Sequence, residues 1–202
     1  MGQYFTNQKL KSNIKKINCV IRGKRFEFYT DNGVFSKDGL DFGSRLLLDF
    51  IPLEEVGGKV LDLGCGYGII GIIINKITGT SVHMVDVNLR ALHLCNMNIE
   101  LNKCNDIYAY ESDCYSNIDT KFNSIITNPP IRAGKKIVYE MVMGAKDYLE
   151  EAGQLFLVIR KQQGAKSLIR DLEEIYDVSV LVKKSGYYVL KCCIKKNSGV
   201  KN

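Results

Sequence analysis

The sequence predicts a doubly wound α/β fold, with helices on both faces of a largely parallel sheet. Two observations predict it. Short β-prone runs alternate with segments that are apolar at helical spacing. Successive runs also end in a polar or acidic residue followed by a turn, as strands do whose carboxyl ends open onto a ligand crevice. All 202 residues are assigned to one domain, with an extension over 1–32, a core over 33–195 and a disordered tail over 196–202.

In order, Asn18 to Thr30 alternate about Arg22-Gly23-Lys24, which predicts a β-hairpin ahead of the core. Gly43 to Phe50 reads as a short helix stopped by Pro52. Val60, Leu61 and Leu63 form a buried strand, glycines follow at 64, 66, 68 and 71, and an apolar helix starts at Ile69. Ser81 to Val85 is a second strand ending in Asp86, and Asn88 to Leu101 is a helix with Leu92, Cys95 and Ile99 on one face. Ile107 to Tyr110 ends in Glu111-Ser112-Asp113, and Phe122 to Thr127 ends in Asn128-Pro129-Pro130-Ile131. Arg132 to Lys136 opens a helix on which Ile137, Met141, Ala145 and Leu149 recur. Gln154 to Ile159 is a further strand and Gly164 to Ile175 a helix. Val178 to Val182 and Tyr187 to Ile194 close the chain as a hairpin around Ser185-Gly186. There is no internal repeat.

The chemistry lies at the strand tips. Glycines at 64, 66 and 68 allow positive φ and let a ligand lie on bare backbone, and the helix that follows presents free N–H groups. Their G-x-G-x-G spacing behind Asp62 differs from the G-x-G-x-x-G dinucleotide fingerprint. Asp86 is placed either to grip a ribose hydroxyl pair or to cap the next helix. Asp113 is placed either to accept from an adenine amino group or to be an ordinary loop aspartate. At the fourth tip two of the chain's three prolines hold Asn128 in a stiff turn. An amide oxygen and proline carbonyls with no proline N–H make a donor-poor, acceptor-rich spot suited to an –NH2 group. An exocyclic base amine is a poor nucleophile because its lone pair is delocalised into the ring. Two acceptors can orient it and stabilise the charge it develops, at ~3–4 kcal/mol per group.

With Asp62 ahead of glycines 64, 66 and 68, the loop resembles the nucleotide-binding loop of class I S-adenosylmethionine-dependent methyltransferases. Together with Asn128-Pro129-Pro130 and the stretch Asp31 to Leu48, the chain from about Tyr4 to Ile194 resembles the small-subunit ribosomal RNA guanine amino-methyltransferases. That resemblance implies a Rossmann-like sheet of about seven strands with the last one antiparallel between its neighbours. It implies S-adenosylmethionine as cofactor, held by Asp62, Gly64, Cys65, Gly66 and Gly68, by Asp86 and Val87, and by Ser112, Asp113 and Cys114. Phe35, Asp41, Gly43 and Ser44 would close over its methionine end beside Asn128. Asn128, Pro129 and Pro130 would be catalytic, and Ile131, Arg132, Lys135 and Lys136 would meet ribosomal RNA or the small subunit. Two features depart from the family. Ile131 stands where many relatives carry a base-stacking aromatic, leaving Phe42 and Tyr115 as candidates for that task. The chain also has no room for the second, non-catalytic amino-terminal copy of the fold found in larger relatives.

Composition narrows the function class. The formal charge is +6, with basic groups at Lys9, Lys11, Lys15 and Lys16, at Arg22, Lys24 and Arg25, and at Lys183 and Lys184. A further group, Arg132, Lys135 and Lys136, follows the Asn-Pro-Pro turn, where phosphate contact is expected. Seven scattered cysteines without a C-x-x-C pair read as thiols of a reducing cytoplasm, and two histidines ten residues apart make no metal or nucleophile site. No signal segment or membrane-spanning run is present. Three readings stay open: a guanine amino-methyltransferase of ribosomal RNA, the same chemistry on a protein glutamine amide or a DNA adenine, and a non-catalytic cofactor- or RNA-binding module. Oligomeric state, monomer or homodimer, is left open.

Overall fold

A computed structural model describes residues 11–195, the side chain of Ile131 excepted. Lys9 and the 196–202 tail therefore lie outside the described residues. The chain opens with a two-stranded antiparallel hairpin, β1 (Lys15–Ile21) and β2 (Lys24–Thr30). Arg22 and Gly23 at its turn both adopt positive φ (48° and 76°), the geometry that matches a two-residue hairpin to strand twist. Helix α1 (Phe42–Phe50) follows, then β3 (Lys59–Leu63), α2 (Ile69–Thr78), β4 (Ser81–Asp86), α3 (Leu89–Leu101), β5 (Ile107–Glu111) and β6 (Phe122–Thr127). Next come α4 (Lys135–Tyr148), β7 (Leu149–Arg160), α5 (Ala165–Leu172), β8 (Tyr176–Lys184) and β9 (Tyr187–Ile194).

The second sheet has seven strands in the order β5-β4-β3-β6-β7-β9-β8. Only β9 runs antiparallel, lying between β7 and β8, as the resemblance implied. Alternate residues of each strand feed opposite cores. Val60, Met84, Ile126, Phe156 and Val158 pack under α1, α2, α3 and the hairpin residues Phe26 and Phe28. Leu61, Leu63, Val85, Ile125 and Leu157 pack under α4 and α5. Because β3 is joined through α2 to β4 on one side, whereas β6 leads to β7 on the other, the strand order reverses at the β3–β6 pair. A crevice opens at the carboxyl ends of such a pair.

The hairpin is tied to the core through polar contacts. Asn98 of α3 accepts from Tyr29 N–H (2.6 Å) and donates to the carbonyls of Tyr29 and Tyr67 (2.9 Å each). The Arg22 guanidinium donates to the Leu48, Asp49 and Ile51 carbonyls, satisfying the last turn of α1.

Several element boundaries differ from those read in the sequence: β1 already begins at Lys15 and β8 spans Tyr176–Lys184. Helix α4 opens at Lys135 and not at Arg132, because Ile131–Ala133 form a 3-10 turn and Gly134 (φ 101°, ψ 162°) breaks the path. It ends at Tyr148, and Leu149 pairs with Phe122 as the first residue of β7, so its apolar side chain serves the same core from a strand. Helix α5 spans Ala165–Leu172, shorter than the pattern over 164–175, and Tyr176 already belongs to β8.

Candidate functional site

The turn after β3 is built on left-handed backbone. Gly64, Gly66 and Gly68 have φ of 75°, 56° and 91°. Gly64 and Cys65 N–H both donate to the Val85 carbonyl at 2.9 Å, and Gly66 N–H donates to Asp86 Oδ2 at 2.8 Å. A Cβ added at Gly66 would meet nothing within 4 Å, so this residue presents bare backbone to open space. Gly68 does a different job: its Cβ would fall 2.6 Å from Cys95 Sγ, so its lack of a side chain lets α2 pack on α3.

Asp86 carries the loop. Its Oδ1 accepts from Asn88 N–H at 2.9 Å while Oδ2 holds Gly66, and burial pushes its carboxyl above the usual range. Capping of α3 falls to Asn88, whose Oδ1 accepts from Arg90 and Ala91 N–H. Asp62 lies beneath the loop and not on the crevice. Its side chain is 1% exposed, Oδ2 accepts from Gly71 N–H at 2.8 Å, and Oδ1 has no partner. Burial, reinforced by the nearby Asp86 charge, pushes its carboxyl up to about 7. At the third tip, Ser112 Oγ donates to the Cys114 carbonyl (2.9 Å), and Cys114 takes a φ of 48°. Asp113 is exposed, while burial pushes the Cys114 thiol up to about 12.

At the fourth tip, Thr127 Oγ1 donates to the Leu63 carbonyl (2.8 Å), locking β6 to β3. Asn128 Nδ2 then donates to Ser44 Oγ at 2.9 Å and, more distantly, to Asp41 Oδ1 and Oδ2 at 3.3 and 3.5 Å. Asp41 is itself fixed as the N-cap of α1, accepting from Gly43 and Ser44 N–H. Both amide hydrogens of Asn128 thus face acceptors on α1, and no donor among the described residues engages its Oδ1. The Pro130 carbonyl closes the 3-10 turn by accepting from Ala133 N–H at 2.8 Å, and the neighbouring Pro129 also lines the crevice.

These pieces border one crevice of about 470 Å³. It brings together Phe35, Asp41, Ser44, Gly64, Cys65, Gly66, Asp86, Val87, Ser112, Asp113, Cys114, Asn128, Pro129, Pro130 and Arg132. Gly43, Asp62, Gly68, Lys135 and Lys136 do not line it. Gly43 lies just behind the wall, where an added Cβ would come within 3.2 Å of Tyr187 Cε1. Lys135 Nζ sits 4.7 Å from the Tyr139 ring centroid, and Tyr139 donates to Asp171 Oδ2. The Ile131 side chain lies outside the description. Tyr115 is not a base-stacking candidate: it is buried, its hydroxyl donates to the Met141 carbonyl, and its ring stacks on Tyr148 at 4.3 Å.

Among the crevice residues that sequence reasoning missed are Arg160, Gln163 and Tyr187. The available signal was topological. An antiparallel last strand starts beside the carboxyl end of its parallel neighbour, which brings Tyr187, just after the Ser185-Gly186 turn, to the crevice. Across the mouth, Asn88 Nδ2 donates to the Gly33 carbonyl (3.2 Å) and Tyr67 Oη to the Ser36 carbonyl (3.3 Å), holding the segment that carries Phe35. No helix among the described residues is long and apolar enough to cross a membrane.

The family model for the methyltransferase small domain matches residues 25–191. The chain is 46% identical over 197 residues to the uncharacterized protein YbxB of Bacillus subtilis, covering 95% of this chain and 98% of that one. It is 36% identical over 169 residues to ribosomal RNA small subunit methyltransferase C of Haemophilus influenzae, covering 81% of this chain and 50% of the relative. Among solved structures, the 16S rRNA N2 G1207 methyltransferase (RsmC) of T. thermophilus, in complex with AdoMet and guanosine, superposes with a TM-score of 0.82 at 27% identity. That match covers 93% of this chain and 52% of the other. The chain thus spans about half the length of these ribosomal RNA methyltransferases.

Proposed function

The chain belongs to the methyltransferase small-domain family, and we propose that it methylates the exocyclic N2 amine of a guanine in small-subunit ribosomal RNA, with S-adenosylmethionine as donor. The observation that carries the reading is the hydrogen bonding of Asn128, a crevice-lining residue: its NH2 group is spent on Ser44 and Asp41, which leaves its carbonyl oxygen to serve as the acceptor.

The residues present fit the cofactor. A bare-backbone position at Gly66 offers a cradle that a side chain would fill. Asp86 is held from behind by backbone N–H groups, including those of Gly66 and Asn88, and borders the crevice as an acceptor for a ribose hydroxyl pair. Asp113 lines the same crevice as the apolar Val87 and the half-exposed Phe35, and supplies an acceptor for a base amino group. Asp41 is the carboxylate nearest Asn128 and complements a cationic group there. When bound, S-adenosylmethionine supplies an electrophilic methyl group.

The protein's own contribution is positioning and electrostatics. Asn128 Oδ1 and the Pro129 carbonyl accept the two N2 hydrogens of the guanine, orient the amine lone pair and stabilise the charge that develops on nitrogen. No histidine lines the crevice. None is required, since the amine becomes strongly acidic once substituted and its proton can leave to water. Arg132 at the crevice and the +6 net charge suit a phosphate-bearing acceptor.

The test is transfer of labelled methyl groups from S-adenosylmethionine into ribosomes, total RNA, DNA and protein of a strain lacking this protein. Label in a guanine of small-subunit RNA is the expected result. Label confined to DNA or to a protein glutamine would overturn the assignment.

A further inference from the structure

We infer that Tyr187, backed by Arg160 and flanked by Phe42, forms the wall against which the acceptor base lies, supplying the stacking surface that Ile131 does not. This rests on the nucleobase-methylating reading above.

A planar base delivered to Asn128 needs a planar partner to offset the stacking it leaves behind. The residue after Asn128-Pro129-Pro130 is aliphatic, and Tyr115 is consumed in the core. The aromatic side chains bordering the crevice are Phe35, Tyr67 and Tyr187. Tyr67 belongs to the glycine loop, is 3% exposed and points its hydroxyl at the Ser36 carbonyl. Phe35 sits on the segment tethered to Asn88, on the Asp86 side. Tyr187 is on the Asn128 side: the Cβ position of Gly43 lies 3.2 Å from Tyr187 Cε1 and 3.5 Å from Asn128 Nδ2, so ring and amide flank one point.

The ring is held rigidly there. Tyr187 is the first residue of β9 and pairs in register with Arg160, the last residue of β7. Lys161 N–H donates to the Gly186 carbonyl at 2.7 Å, clamping the turn before it onto the end of β7. The Arg160 guanidinium carbon lies 4.8 Å from the Tyr187 centroid, and the Phe42 ring lies 5.3 Å away, tilted by 49°. Phe42 is 39% exposed. An aromatic ring paired with an exposed guanidinium beside the acceptor amide matches a base together with its phosphate. An uncharged glutamine side chain would leave the guanidinium unused. Gly43 then has a reason to be glycine, since an added Cβ would crowd the Tyr187 ring at 3.2 Å and Asp41 Oδ1 at 3.1 Å.

The chain contains no tryptophan, so Tyr187→Trp installs a single reporter at this wall. Titration with guanosine 5′-monophosphate is expected to quench its emission saturably. In methyl transfer to unmodified small-subunit RNA, Tyr187→Ala should raise the KM for RNA roughly 5- to 150-fold, the range of one lost stacking partner. Tyr187→Phe should restore wild-type KM. All variants should bind S-adenosylhomocysteine with unchanged affinity by calorimetry, a readout that a folding defect would shift. An unchanged KM in Tyr187→Ala, or no quenching by the nucleotide, overturns the inference. If the wild-type chain methylates no RNA, the functional reading fails by itself, and quenching still decides whether a base occupies the wall.

Discussion

Ser44 offers a graded test of how Asn128 works. Ser44→Ala removes the 2.9 Å bond to Asn128 Nδ2 and leaves the longer contacts to Asp41 at 3.3 and 3.5 Å. The α1 cap survives, because Asp41 accepts from the backbone N–H of residues 43 and 44 and not from the serine side chain. A flipped amide would point its oxygen at the Asp41 carboxylate, so the remaining contacts still favour the working orientation. The loss is that of one net hydrogen bond, about 0.5–1.5 kcal/mol, or roughly a 2- to 13-fold fall in turnover. Asn128→Ala deletes the acceptor itself and should cost about 10²–10³ in kcat. Turnover at saturating cofactor and RNA, measured beside calorimetric binding of S-adenosylhomocysteine, separates rate from affinity. The expected order is wild type, Ser44→Ala, then Asn128→Ala, with cofactor affinity nearly constant across the three. Full turnover in Asn128→Ala, or a loss that appears only as weaker cofactor binding, would refute the role given to the amide.

Asp86→Ala and Gly66→Val should each weaken S-adenosylhomocysteine binding by ~1–3 kcal/mol in calorimetry, the first by removing a ribose acceptor and freeing Gly66 N–H, the second by filling the cradle. Gly68→Ala should instead lower thermal stability, by about 1–3 kcal/mol, since its Cβ would fall 2.6 Å from Cys95 Sγ at a φ of 91°; a melting temperature equal to that of wild type would refute the packing role. Asp62 titrates near 7 in the fold against 3.8 for a free carboxyl, so the native state binds more protons between those values and stability must fall as pH rises across that window, by about 4 kcal/mol from this group. Asp62→Asn should flatten that fall in urea unfolding at pH 5 and pH 8, and parallel curves would contradict it. Arg132→Glu should weaken RNA binding and its salt dependence more than Lys135→Glu, because Arg132 borders the crevice while Lys135 lies over Tyr139; equal effects would count against this placement.

Much of the fold was legible because each local signal agreed with the global one. Three strands, β4, β5 and β6, ended where an acidic residue or a proline pair stopped them, and β6 covers Phe122–Thr127 as its residue pattern indicated. Boundaries failed where one apolar residue served two geometries: Leu149 fits the helical stripe of α4 and also pairs with Phe122. Gly134 was the missed stop, a glycine whose positive φ ended the 3-10 turn before α4 began. At the crevice, spacing could not tell a glycine that faces a ligand from one that faces a helix, and so Gly66 and Gly68 looked alike. Asp62 looked like a ligand group because it stands at a strand end, yet strand alternation sends it under the loop to Gly71. Arg160 and Tyr187 were invisible for the opposite reason. Their proximity to Asn128 comes from pairing across β7 and β9, a long-range contact that no local pattern encodes.

The most direct measurement is the identity of the methylated nucleoside. Small-subunit RNA from a strain lacking this protein would be incubated with the purified chain and S-adenosylmethionine, digested to nucleosides and resolved by mass spectrometry against standards. An amine held between Asn128 Oδ1 and the Pro129 carbonyl predicts N2-methylguanosine as the new product, absent with Asn128→Ala. A product methylated on a ring nitrogen, on a ribose hydroxyl or on adenine would contradict it.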